Sequence, residues 1–243
     1  MIMQIPELKK PEHGYTKEGH PGNAPQYDVT QYPAKENSPL KGKHLIFLGS
    51  SVTLGYASMN QSFADDLEHL DGIVMIKEAV NGTTLVDVDA KGPSYIKRLR
   101  TIDQSFPADA LICQLSTNDA TQGMPLGTVT DERDPEAFDL QTIAGAMEYI
   151  ISYAQNTWHC PVLFYSGTRF ISDLYQSMTE LLPVMQEKWN IGLIDLWNHK
   201  EMYEITDEAY QLYMFDPVHP TRAGYLEWWT PMFEKDLTAF FKQ

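Results

Sequence analysis

The sequence predicts a doubly wound α/β/α sandwich built on a parallel sheet. Three observations lead there. From residue 43 onward, short apolar runs alternate with longer segments of helical periodicity. The apolar runs are hydrophobic almost throughout rather than at every second position, as in strands covered on both faces. Strand–helix alternation then implies right-handed crossovers and helices on both sides of the sheet.

The strand candidates are 44–49 (HLIFLG), 73–80 (IVMIKEAV), 110–116 (ALICQLS), 161–167 (PVLFYSG) and 191–196 (IGLIDL). Helices are expected near 61–70, 91–103, 136–157 and 173–189. The clearest signal is in 137–154, where Phe138, Ile143, Met147, Ile150 and Ile151 recur at near-helical spacing. A last helix is expected after Thr221, which can cap it, and Pro231 should kink or split that helix. Residues 1–40 hold six of the fifteen prolines and show no sustained period. They are expected to form an extended arm on the domain of residues 41–243, anchored through Ile5, Tyr15, Tyr27 and Tyr32.

With 33 acidic and 18 basic residues, the formal charge is −15. That balance argues against nucleic acid or an anionic membrane as partner. Cys113 and Cys160 do not make a disulfide framework, and no metal-ligand spacing appears. The first residues lack the basic-then-apolar pattern of a secretory signal, and no run approaches a membrane span. The expectation is a soluble cytoplasmic protein that needs neither metal nor cofactor.

A sheet of this kind binds ligands at the carboxyl ends of its strands. The first strand ends in Gly49-Ser50-Ser51-Val52. Far along the chain, Asp216-Pro217-Val218-His219 places a carboxylate three residues before an imidazole. A nucleophilic serine needs a base, and the base needs a carboxylate to hold its tautomer. Ser51, His219 and Asp216 are therefore candidates for these roles. Gly82, after the second strand, lets a backbone N–H approach a substrate oxygen closely. Asn118, after the third, can offer a side-chain N–H. With the Ser51 amide they are candidate oxyanion donors. Arg169 and Phe215 are candidate substrate contacts, although a structural ion pair is the commoner use of such an arginine and core packing of such a ring. The loop 119–135 is long enough for a lid or substrate wall.

These blocks, over roughly residues 43–240, resemble the SGNH hydrolases, also called GDSL esterases/lipases. Gly49-Ser50-Ser51-Val52 resembles the family's nucleophile block, with Ser50 where the family usually has Asp. Asn81-Gly82 resembles its glycine block. Ser116-Thr117-Asn118-Asp119 resembles its Gly-x-Asn-Asp block, with Ser116 where Gly is usual. Asp216 and His219 match Asp-x-x-His as they stand. The resemblance implies a flavodoxin-like sandwich with a five-stranded parallel sheet. It also implies a Ser51–His219–Asp216 triad that cleaves a small acyl ester, such as an O-acetyl group on a carbohydrate. Acyl transfer, thioester cleavage and lysophospholipid cleavage use the same triad. Two other readings stand beside it. One is a non-catalytic ligand-binding module on this fold. The other is a flavin or nucleotide binder that uses GSSVTLG as a phosphate cradle.

Overall fold

The computed structural model describes residues 14–89 and 91–242. Five strands form one parallel sheet in the order β2-β1-β3-β4-β5. They are β1 (His44–Gly49), β2 (Val74–Ala79), β3 (Ala110–Gln114), β4 (Val162–Ser166) and β5 (Gly192–Asp195). The order reverses direction between β1 and β3. Sheets of this kind place a ligand crevice at such a switch point, outside the carboxyl ends.

The continuous apolar strands are explained by the two cores. Side chains of β1 alternate in direction. Ile46 and Leu48 pack with Leu111, Cys113, Val162 and Phe164 under α3 (Tyr95–Leu99), α5 (Ile143–Thr157) and α6 (Asp173–Trp189). Leu45 and Phe47 pack with Ile112, Leu163, Tyr165 and Ile194 under α2 (Phe63–Asp71) and α10 (Thr230–Phe241). Both faces are thus dry, which gives the three layers expected. Cys113 and Cys160 are buried free thiols, and burial raises both of their pKa values, that of Cys160 to about 11.

Helix α6 spans the residues expected. Others are shorter: α3 covers 95–99 of the predicted 91–103, and α5 begins only at Ile143, where Thr142 caps it by accepting from Gly145 N–H. The last helix does begin after Thr221, which accepts from Gly224 N–H. It passes through a π-turn at Tyr225–Trp229 before α10, whose second residue is Pro231, a residue with no N–H to bond back into that turn. The remaining short helices are α1 (Ser51–Leu54), α4 (Thr117–Thr121), α7 (Lys200–Tyr203), α8 (Asp207–Tyr213) and α9 (Arg222–Gly224).

Residues 21–31 are not extended. They make three consecutive 3-10 turns, two of them opened by Pro21 and Pro25. Tyr15 and Tyr32 do not anchor the segment, being 51% and 37% exposed, whereas Tyr27 is partly buried. Ile5 lies outside the described residues. Val29 is buried, and the other anchors are polar. Asn23 Nδ2 donates to Ala57 O at 2.7 Å, and its Oδ1 accepts Arg222 N–H at 2.8 Å. Gln61 Oε1 accepts Val29 N–H, while its Nε2 donates to Tyr27 O and to the buried Asp66. Composition hid this because the holding groups are two side-chain amides, Asn23 on the segment and Gln61 on the domain, each matched to backbone atoms of the other.

Candidate active site

Gly49 ends β1 against the neighbouring turn so closely that a Cβ there would lie 1.7 Å from Thr53 Oγ1. Only glycine lets the chain turn at this point. The turn is then held from two sides. From β3, Gln114 Oε1 accepts from Ser50 N–H (2.9 Å), Thr53 N–H (3.3 Å) and Thr53 Oγ1 (2.8 Å). From α3, the buried Arg98 guanidinium donates to Gly49 O (2.8 Å), Glu78 O (2.9 Å) and Thr83 Oγ1 (3.1 Å). Arg98 thereby ties the ends of β1 and β2 to the loop that follows β2. Sequence reasoning missed both residues, because Arg and Gln are usually exposed and neither sits in a motif.

So held, Ser51 opens α1 and faces the loop between α8 and α9. That loop closes on itself: Phe215 N–H donates to His219 O at 2.9 Å, and Thr221 N–H to Tyr213 O at 2.9 Å. Within it, Asp216 Oδ1 accepts the amides of Val218 (2.8 Å) and His219 (2.9 Å). Asp216 Oδ2 lies 2.7 Å from His219 Nδ1, and His219 Nε2 lies 2.8 Å from Ser51 Oγ. Burial pushes the Asp216 carboxyl up, but the His219 bond and charge and the two amides outweigh it. Its pKa is held below the ordinary 3.8. An ionised carboxylate only accepts, so the ring carries its proton on Nδ1 and presents Nε2 as an acceptor to the Ser51 hydroxyl.

Ser50 faces elsewhere. Its fully buried Oγ accepts from Asn118 Nδ2 at 3.0 Å, and the same amide donates to Thr83 O at 3.0 Å. The serine that meets the imidazole is Ser51. The Tyr95 hydroxyl is buried near Ser50 without reaching hydrogen-bond geometry.

Asn118 is carried on α4. Ser116 caps that helix by accepting the amides of Asn118 (3.2 Å) and Asp119 (3.4 Å), a role open to serine and closed to glycine. Asp119 accepts from Leu85 N–H (2.8 Å) and Val86 N–H (3.0 Å), which fastens the loop after β2 to the end of β3. Burial raises its pKa to about 6. Gly82 lies in the same loop, in the left-handed region at φ +76°, one residue before Thr83. The structure thus gathers Ser51, Asp216, His219, Asn118 and the Gly82 loop at one sheet edge.

The other candidates are differently placed. Arg169 makes no ion pair among the described residues. Its Nε donates to Trp197 O at 2.7 Å and its guanidinium stacks 4.0 Å from the centre of the Tyr203 ring. Phe215 is half-buried, edge-on to His20 of the N-terminal segment at 5.9 Å. That segment also lays Lys17 over the Tyr56 ring, which stands 5.2 Å from the His219 ring. Tyr56 and Lys17 carry no motif and were invisible in the sequence. The 119–135 loop is strapped down rather than built as a lid. Lys188 pairs with the buried Glu148 and bonds Thr130 O at 2.7 Å, and Arg133 donates to Lys188 O at 2.6 Å.

GSSVTLG does not form a phosphate cradle, because Gln114 already takes the Ser50 and Thr53 amides such a cradle would need. Among the described residues, no group of three or more His, Cys, Asp or Glu is arranged to hold a metal ion. No helix among them is long and apolar enough to cross a membrane.

A family model described as GDSL-like Lipase/Acylhydrolase matches residues 47–226. Several solved structures share the architecture. A protein from Lactobacillus plantarum is 19% identical with a TM-score of 0.64, over 83% of this chain and 97% of its own. A carbohydrate acetylesterase from Sinorhizobium meliloti is 14% identical with a TM-score of 0.58, over 82% and 99%. A GDSL-like lipase from Bacteroides thetaiotaomicron is 15% identical with a TM-score of 0.53, over 92% and 98%. At these identities the likeness concerns the fold. No curated protein matches the chain.

Proposed function

The chain belongs to the GDSL-like lipase/acylhydrolase family, and from that premise we propose that it is a serine esterase with Ser51 as nucleophile. One observation carries the reading: the unbroken line from Asp216 Oδ2 through His219 to Ser51 Oγ, with steps of 2.7 and 2.8 Å. Ser51 Oγ attacks the ester carbonyl carbon as its proton passes to His219 Nε2. The carbonyl π electrons move onto oxygen. The imidazolium is stabilised by ionised Asp216, which keeps its own proton off.

The oxyanion is received by the amides of Ser51 and Gly82 and by Asn118 Nδ2, which gives up one of its two N–H bonds, to Ser50 Oγ or to Thr83 O, as the oxyanion forms. Collapse expels the alcohol, protonated by His219 Nε2–H, and leaves an acyl-serine. Water, deprotonated by the same nitrogen, repeats the sequence and frees the acid.

The substrate is proposed to be a small acyl ester, with an O-acetyl group on a carbohydrate as the leading case. That choice rests on fold-level analogy with the Sinorhizobium meliloti acetylesterase. The Tyr56 ring, 38% exposed beside His219, offers an apolar surface for a sugar alcohol.

The test uses p-nitrophenyl acetate and a fluorophosphonate probe on wild type, Ser51→Ala and Ser50→Ala. Wild type and Ser50→Ala should take the label, and Ser51→Ala should not. Labelling of Ser51→Ala with retained turnover would refute the assignment.

A further inference from the structure

Between the carboxyl ends of β3 and β4 lies a recess enclosed by Val52, Thr117, Phe170 and Val218 above a floor of Gln114 and Tyr165. Three of its walls are chain neighbours of the groups assigned above. Val52 follows Ser51, Thr117 precedes Asn118, and Val218 precedes His219. The recess therefore lies at the base of the site. Tyr56, partly exposed beside His219, is not part of this lining, and a leaving alcohol can reach solvent there.

Two features limit what the recess can take. The first is room. It leaves about 10 Å³ for the centre of a water-sized sphere, the space of one small group. The second is the polarity of its floor. Gln114 is 1% exposed, and three donors fix its Oε1, so the amide cannot flip. Its Nε2 is buried and has no partner among the described residues. A longer alkyl chain would need room that the recess lacks, and it would lie against that N–H with nothing to accept from it.

We propose that this recess is the acyl slot, and that it selects acetyl esters by excluding acyl chains of four or more carbons. The proposal rests on the Ser51 reading and adds its acyl specificity. Val218 and Phe170 set the limit as the apolar walls. Phe170 is held in place by the rings of Tyr175 (4.8 Å between centres) and Trp197 (5.7 Å).

The experiment compares kcat/KM for p-nitrophenyl acetate, butyrate and hexanoate in wild type, Val218→Ala and Phe170→Ala. Folding is checked by circular dichroism, and active serine is counted by fluorophosphonate labelling. Wild type should lose about 10-fold or more from acetate to butyrate and again to hexanoate. Val218→Ala should raise the butyrate-to-acetate ratio about 10-fold. Phe170→Ala, where folded, should do the same. Wild type cleaving hexanoate as well as acetate would overturn the slot while leaving the esterase reading intact. So would a folded, labelled Val218→Ala with the wild-type ratio. Wild type that neither labels nor cleaves any of the esters would overturn both.

Discussion

Two of the places where Asp and His side chains lie near one another are arranged differently. In the 214–220 loop, Asp216, His219 and Ser51 form one hydrogen-bonded line next to a recess with room for a single small group. Along β5 and α10, Asp195, His199 and Asp236 line a groove of about 450 Å³. The groove is far larger, yet its groups do not connect. Asp195 accepts from Ser166 Oγ and from the Asn198 amide and side chain, which uses it as a local brace. His199 Nδ1 is buried without a partner among the described residues. The carboxyls also shift in opposite directions. Asp216 is lowered, because bonds from His219 and two amides outweigh its burial. Asp236 is raised, because burial outweighs the charges of His199 and Lys235. Cavity size is thus a poor guide to chemistry here. What distinguishes the first place is that each donor there has an acceptor and the line ends on a hydroxyl.

The largest effects should come from breaking that line. Ser51→Ala and His219→Ala should each lower kcat on p-nitrophenyl acetate by about 10⁵–10⁶-fold, with the double variant little worse than either. Strict additivity in that double variant would argue that the two do not act as a unit. Asp216→Asn keeps the shape but favours the wrong tautomer and should lower kcat by about 10⁴-fold.

Asp216→Asn should also change stability with pH. A carboxyl whose folded pKa lies below 3.8 contributes stability that is present above that value and lost as pH falls through the folded pKa. The Tm gap between wild type and Asp216→Asn should therefore be full at pH 7 and narrow below about pH 4. A gap that widens on acidification would contradict the lowered pKa.

Asn118→Ala should reduce kcat by about 10²–10³-fold with KM nearly unchanged, as for loss of one oxyanion donor. Ser50→Ala frees that amide on one side, and a smaller loss of about 10-fold is expected. In an Asn118→Ala background the Ser50 change should have no further effect. An equal loss in both backgrounds would show that Ser50 does not act through Asn118.

The smallest effects belong to the groove. Asp236→Asn should leave kcat/KM within about 2-fold, since nothing connects it to Ser51. For a raised carboxyl the sign is reversed: its stability contribution is full below 3.8 and lost as pH rises through the folded pKa. Asp236→Asn should then melt slightly higher than wild type at pH 8, by about 2 °C or less for a half-exposed group, with the difference vanishing near pH 4. A fall in activity comparable to Asn118→Ala would mean the groove takes part in the reaction.

Local chemistry made much of this legible. The strands were readable because a strand buried on both faces must be apolar along its buried length, and β1 is from Leu45 to Gly49. The Asp216–His219 relation was readable because three residues suffice for one loop to hold both, with Asp216 also accepting amides within the loop. The N-terminal segment misled because its prolines open 3-10 turns, and because Asn23 and Gln61, rather than Tyr15 and Tyr32, hold it.

By itself, then, the chain's order of residues determined the layered parallel sheet, the glycine that ends β1, and which serine, histidine and aspartate were worth considering. These follow from periodicity, from a missing Cβ and from short-range spacing. Tertiary structure alone decided that Ser50, next to the serine the motif had singled out, goes to Asn118, 68 residues away. It also decided that Arg98 and Gln114 hold the turn, that Arg169 is spent on Trp197 and Tyr203, and that a recess bounded by Val52, Thr117 and Val218 lies beneath the site. The physical reason is direction. A hydrogen bond between distant residues depends on where the packed sheet aims each side chain, and a sequence motif carries no record of that aim.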